Sequence, residues 1–287
     1  MSDVTLSFSV HYSSFMIFLA VLTYDLTNLD MPTHHTYGGR LKFLTFLSFL
    51  CDLVYNNLAA IIDFQIWMRS KDSPLWRNVR DFMFTAVVFP LATFVCLMFW
   101  GICLVDSSAL RSVEDAKLIP RWLDHSYHTL PILNVFLQAY LVKHTYLRNR
   151  VALLSLSICN VCYICWLFWI AHKSNIWVYP FLSRMQLPGV LLFLAVSVLI
   201  TFGFYFVGKK FSEFVWGQEK GKLAWGHNWQ EYTKPLWKIR IYLNDLLHNL
   251  VRFVVAVCIT VNYSKTWITM WILGQFMLKQ WYCKSYW

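Results

Sequence analysis

The sequence predicts an all-α, polytopic membrane bundle of about six spanning helices. Three observations carry that prediction. Of 287 residues, 58% are apolar and 14% charged, against roughly 45–50% and about 25% in ordinary soluble domains. Three stretches, Phe82 to Val105, Val151 to Ala171 and Pro188 to Gly208, run without a single charge, and each reaches the roughly 20 residues needed to cross about 30 Å of hydrocarbon. The basic residues lie in short segments between the apolar ones, where they would meet headgroups.

In chain order, Val4 to Tyr24 is the first span, interrupted only by His11. It exceeds a signal-peptide core and no small-residue cleavage site follows it, so it is expected to stay as a helix. Phe43 to Met68 is the second and contains Asp52 and Asp63. Phe82 to Val105 is the third. Tyr127 to Val142 is short and carries Pro131, so the fourth is expected to begin near Pro120, with Trp122 at the headgroups. The charge-free stretches at Val151 and Pro188 supply the fifth and sixth. Residues 1–217 thus read as one six-helix domain. Residues 218–287 form a C-terminal extension, Trp-rich at first, with two apolar segments, Leu250 to Tyr263 and Trp267 to Leu278, too short for a full crossing. The only N-glycosylation sequon, Asn262-Tyr263-Ser264, lies there.

The net charge of +10 invites comparison with nucleic-acid binders, but the cations do not gather on one face, and orientation is the better account. Arg69, Lys71, Arg77, Arg80, Lys143, Arg148, Arg150, Lys209, Lys210, Lys220 and Lys222 fall on one side, eleven in all. Arg40, Lys42, Arg111, Lys117, Arg121, Lys173 and Arg184 fall on the other, seven in all. The excess places the N-terminus and the end of helix six in the cytosol. Most of the 8 cysteines are intramembrane and show no disulfide spacing. Cys159, Cys162 and Cys165 lack the closed polar shell of a zinc site, and are expected to pack as small residues against another helix.

Two segments concentrate chemistry. Before helix two, Gly38-Gly39 supplies a turn with unusual backbone angles, and Thr45 follows just below the membrane surface. A membrane threonine ordinarily bonds its own helix carbonyl, and spacing alone does not separate that role from a reactive one. At the start of helix four, His125 and His128 share a face. Pro131 donates no N–H and presses on the Tyr127 carbonyl, so a polar pocket near His128 is the economical account. The alternative is an interfacial histidine pair bonded to headgroups. Thr45 and His128 approach from one leaflet on different helices, and a hydroxyl with an imidazole base is the minimum apparatus for acyl transfer. Thr45, Ser48, Asp52, Asn56 and Asp63 make a polar stripe on helix two, suited to helix packing or to a proton path. His34-His35 reads as loop.

Met31-Pro-Thr-His-His-Thr-Tyr-Gly-Gly-Arg-Leu-Lys-Phe-Leu-Thr-Phe, Ile119-Pro-Arg-Trp-Leu-Asp-His-Ser-Tyr-His-Thr and Trp177-Val-Tyr-Pro-Phe-Leu182 resemble the androgen-induced protein and androgen-dependent tissue-factor-pathway-inhibitor-regulating protein family. The likeness covers about residues 16–217. It implies a transmembrane threonine hydrolase of fatty acid esters of hydroxy fatty acids, in the endoplasmic reticulum or plasma membrane, with no cofactor or metal. The nucleophile falls on Thr45 and the catalytic histidine on His128, with His125, Asp124 and Ser48 as possible supports. Ser48 stands where the pattern calls for an acid or amide. Arg40, Lys42 and Arg121 share that membrane surface and are candidates for holding the substrate carboxylate. Thr45 Oγ1 and an imidazole nitrogen are then expected within hydrogen-bond reach, beside a cavity. The rival class is a non-catalytic membrane regulator or a proton-coupled carrier using Asp52 and Asp63; the inverted repeat common in carriers is not evident.

Overall fold

The structure, a computed structural model, describes residues 2–69, 74–111, 113–146 and 148–217. The two apolar segments and the sequon of the C-terminal extension lie outside the described residues. The long elements are α1 (Ser2–Asn28), α2 (Leu44–Arg69), α3 (Pro74–Met83) running through a π-helical turn, Phe84–Val88, into α4 (Phe89–Asp106), α8 (Asn149–Ser174) and α10 (Leu187–Trp216). Between them lie the short helices α5 (Val113–Leu118), α6 (Arg121–His128), α7 (Leu130–Leu141) and α9 (Pro180–Ser183). Among the described residues, five helices are long and apolar enough to cross a bilayer: Val4–Asn28, Leu44–Met68, Pro74–Asp106, Asn149–Ser174 and Leu187–Trp216. The chain is therefore a multi-pass membrane protein.

The predicted fourth span is a broken one. Helix α6 ends at His128, Thr129 departs from helical geometry (φ −117°, ψ −42°), and α7 restarts with Pro131 in its first turn. Proline is at home there because it has no N–H to leave unbonded. The break is displaced two residues from Pro131 because the ring clashes backward, toward the preceding turn.

The third span is longer than the apolar run because α3 carries charge inside the bundle. Arg80 was expected in a loop; it is helical and buried, its guanidinium meeting Asp63 Oδ1 at 3.2 Å and Asp81 Oδ1 at 3.0 Å. His11 Nδ1 meets Asp63 Oδ2 at 2.8 Å, and His144 Nδ1 meets Asp81 Oδ1 at 3.1 Å. This network ties α1, α2, α3 and the segment after α7 together, with Asp63 at its centre between His11 and Arg80. A bare buried charge is costly, so each carboxylate is matched by a cation or N–H donors.

Apolar packing fills the rest. Tyr55, Ala59, Phe84, Phe89, Val135 and Ala139 join α2, α4 and α7, while Phe18, Phe49 and Leu123 join α1, α2 and α6. Gly208 of α10 lies so close to Phe89 that a β-carbon would meet the ring at 2.6 Å. Cys159, Cys162 and Cys165 do not pack inward as expected. All three are exposed on α8, and the inward contact at this level is made by Asn160, whose amide donates to Thr201 of α10 at 3.1 Å.

Because these contacts lie within residues 2–217, a chain cut after Gly217 is expected to insert and fold. Comparable expression and a monodisperse detergent elution profile check this; an aggregated product would show that residues 218–287 are needed.

Candidate functional site

Gly38 and Gly39 take left-handed conformations (φ 83° and 50°), which glycine enters without steric cost. They turn the chain into a 3₁₀ segment, Gly39–Lys42, followed by Phe43 in extended geometry. Helix α2 thus begins at Leu44, and Thr45 is its second residue. The first backbone bond of α2 runs from Leu47 N–H to the Phe43 carbonyl at 3.1 Å. The Leu44 N–H, having no helical acceptor, donates to the Tyr179 hydroxyl at 3.1 Å.

This late start frees the Thr45 hydroxyl. Thr23, Thr85 and Thr93 each donate to the carbonyl four residues back. For Thr45 that residue is Leu41, outside the helix, whose carbonyl accepts the Trp166 indole N–H at 3.1 Å. Among the described residues Thr45 Oγ1 has no hydrogen-bond partner, and Thr45 faces a cavity of about 220 Å³.

The cavity lies between the start of α2, the 29–43 segment, α4, α6, α8 and α10, with walls mainly of Leu29, Phe43, Phe94, Met98, Ile102, Leu167, Phe193 and Leu194. His128, 8% exposed, also lines this cavity. Its Nδ1 lies 2.9 Å from the Asp124 carbonyl. A carbonyl can only accept, so Nδ1 carries the proton and Nε2 keeps its lone pair. The ring stacks on Phe99 with centroids 3.3 Å apart. Asp124 Oδ1 lies 3.7 Å from His128 Nδ1, and Arg111 grips the Asp124 carboxylate with two bonds of 2.7 and 2.6 Å. Arg111 also lies over the other partner of this stack, 5.6 Å from the Phe99 ring centre.

Thr45, His128 and Asp124 thus line one cavity, although no hydrogen bond joins Thr45 to His128 as the sequence had suggested. Ser48 is buried on α2 away from the wall, and His125 is off it too, stacked on Trp100 at 5.0 Å with Nδ1 3.1 Å from Thr129 Oγ1. Of the three candidate carboxylate holders, Arg40 is on the wall but bonded to Asp25 Oδ2 (2.9 Å) and the Leu29 carbonyl (2.5 Å). Lys42 turns its ammonium onto the Thr33 carbonyl at 2.6 Å and the Thr36 hydroxyl, and burial lowers its pKa. Arg121 is exposed and off the wall.

Three wall residues escaped the sequence reading. Arg111 was only a loop cation there. His34, read as loop, lies on the wall; its Nδ1 is buried without a hydrogen bond, and burial, then the Arg40 guanidinium, lower its pKa. Tyr179, the cap on α2, sits in the Trp177 to Leu182 segment, and that segment was the available signal.

Fold and cavity together define a polytopic helical membrane protein with an apolar interior site near one end of its bundle. The model of the FAR-17a/AIG1-like protein family matches residues 6–213, and the chain belongs to that family. It is 31% identical over 181 residues to the androgen-dependent TFPI-regulating protein of Mesocricetus auratus, covering 63% of this chain and 78% of that one. It is 28% identical over 202 residues to the androgen-induced gene 1 protein of Homo sapiens, covering 67% and 84%. No solved structure matches.

Proposed function

We propose that this chain is an integral-membrane lipid ester hydrolase in which Thr45 is the nucleophile and His128 the base, acting on fatty acid esters of hydroxy fatty acids. The observation that carries the reading is the shared cavity: a threonine hydroxyl unbound by its own helix and a histidine with Nε2 left as acceptor both line one apolar space. The substrate class follows the family resemblance, and the apolar walls suit acyl chains. His128 Nε2 takes the Thr45 proton, and Oγ1 attacks the ester carbonyl. The alcohol leaves with the proton from His128, and water then cleaves the acyl-threonine to release the acid. In a structure without substrate such pairs often stand apart and close only on the bound ester.

A fluorophosphonate probe tests this. Labelling of wild type at Thr45, identified by mass spectrometry and absent from Thr45→Ala, is expected. Undiminished labelling or ester hydrolysis in Thr45→Ala would remove the nucleophile assignment.

The Arg111–Asp124 pair is assigned the role of fixing helix α6, which presents the Asp124 carbonyl to His128. Asp124→Asn keeps that carbonyl and loosens the grip of Arg111. It is expected to lower kcat about tenfold, short of the 10²–10⁴-fold contribution of a general base, with little change in KM. A wild-type kcat would dissociate the pair from the histidine.

A further inference from the structure

An ester carbonyl attacked by Thr45 becomes an oxyanion, and the apolar walls of the cavity give that charge nothing to bond. Donors fixed in advance must hold it. Most polar groups along the cavity are already committed. Tyr163 donates its hydroxyl proton to the Lys42 carbonyl at 3.1 Å, so Tyr179 donates to Tyr163 and accepts the Leu44 N–H, each at 3.1 Å. The Asn160 amide goes to Thr201, and Arg40 and Arg111 are held by Asp25 and Asp124. The atoms of Thr33, His34 and Tyr127 that lack partners are themselves buried.

The start of α2 is different. Leu47 is its first residue with an N–H on a helix-type acceptor, and the Leu44 N–H is capped by Tyr179. The N–H groups of Thr45 and Phe46 lie between these two and have no partner among the described residues. Both residues line the cavity. Covalent geometry brings the donors to the nucleophile, because one N–H belongs to Thr45 and the other to its neighbour. In a helix the Cα–Cβ bond tilts toward the N-terminus, the direction in which the leading N–H groups also point. A carbonyl carbon bound to Thr45 Oγ1 therefore carries its oxygen beside them. Helix α2 runs for 26 residues, and the partial positive charge at its N-terminal end favours an anion. His128 is an independent sign of a ligand here: only 8% exposed, it lines the same cavity with Nε2 unpartnered.

On the basis of the hydrolase reading, we propose that the backbone N–H groups of Thr45 and Phe46 form the oxyanion hole, which makes Phe46 a further catalytic residue acting through its main chain. As Oγ1 bonds to the ester carbon, His128 Nε2 takes the hydroxyl proton and the carbonyl π pair moves onto oxygen, where both N–H groups bond it. That pair returns as the bond to the alcohol breaks, and the alcohol leaves with the proton from His128. Water attacking the acyl-threonine passes through a second oxyanion at the same donors, restoring the threonine hydroxyl and releasing the acid.

Nonsense suppression with phenyllactic acid at position 46 replaces that N–H by an ester oxygen and keeps the side chain. The same exchange at Leu47, with leucic acid, removes the first helix bond instead and controls for damage to the helix. In the full chain in nanodiscs, supplied with a fatty acid ester of a hydroxy fatty acid, the exchange at Phe46 is expected to lower kcat about 10²-fold with little change in KM. The exchange at Leu47 should leave kcat near wild type. A thionoester of the same lipid covers the case in which the exchanged chains do not insert: sulfur accepts an N–H bond poorly, so wild type should turn it over about 10²-fold more slowly than the oxygen ester. A wild-type kcat after the exchange at Phe46, an equal fall after that at Leu47, or equal turnover of the two esters would each overturn the oxyanion hole and leave Thr45 as nucleophile. Wild type that the fluorophosphonate does not label at Thr45 would overturn both.

Discussion

Thr45→Ala and His128→Ala are each expected to lower kcat for a lipid ester by about 10³-fold or more, and the double variant to be little worse than either. Two groups acting in one proton transfer lose their whole joint contribution when one is removed, so their losses do not add. Thr45→Ser keeps the hydroxyl but loses the methyl that restricts χ1, and should retain measurable turnover. Single-turnover hydrolysis in nanodiscs gives all four values. Additive losses would mean that the two side chains work in separate steps, and a Thr45→Ala protein with wild-type kcat would end the assignment.

Arg80→Met should have the largest effect on stability. It leaves the Asp63 and Asp81 carboxylates in the bundle without their shared cation, and breaking a buried pair in this way costs about 3–5 kcal/mol. Asp63→Asn in the Arg80→Met background removes one of the stranded charges and should restore part of the loss. Thermal unfolding in one detergent, followed by tryptophan fluorescence, reads both variants. Equal unfolding temperatures for wild type and Arg80→Met would show that the network does not stabilise the bundle. Asp63→Asn alone should retain most hydrolysis, as expected of a packing residue and not of a carrier's proton site.

Spans were legible because hydrocarbon imposes a length and a composition that no local competition alters. The polar stripe of helix two was legible too: Ser48, Asp52, Asn56 and Asp63 are all interior. The charge inside α3 was not, since Arg80 looks like any loop cation until Asp63, on another helix, supplies its partner. Cys159 to Cys165 misled because small residues fit either a helix contact or a lipid face, and period alone does not choose between them. At the candidate site, Thr45 and His128 could be named from motifs, whereas Arg111 depended on the fold of the 107–124 segment. The freedom of the Thr45 hydroxyl depended on where α2 begins, a backbone detail set by Gly38, Gly39 and the bond that the Leu44 N–H donates to Tyr179.

That bond has a consequence for biosynthesis. Leu44 and Tyr179 are 135 positions apart, so the turn that carries Thr45 acquires its cap only after most of the bundle has left the ribosome. Helices are made and inserted in order from the N-terminus, and a nascent chain holding α1 to α7 already contains both Thr45 and His128 but not Tyr179. The capped form of the turn that carries Thr45 therefore belongs to the finished bundle and not to the partly made chain.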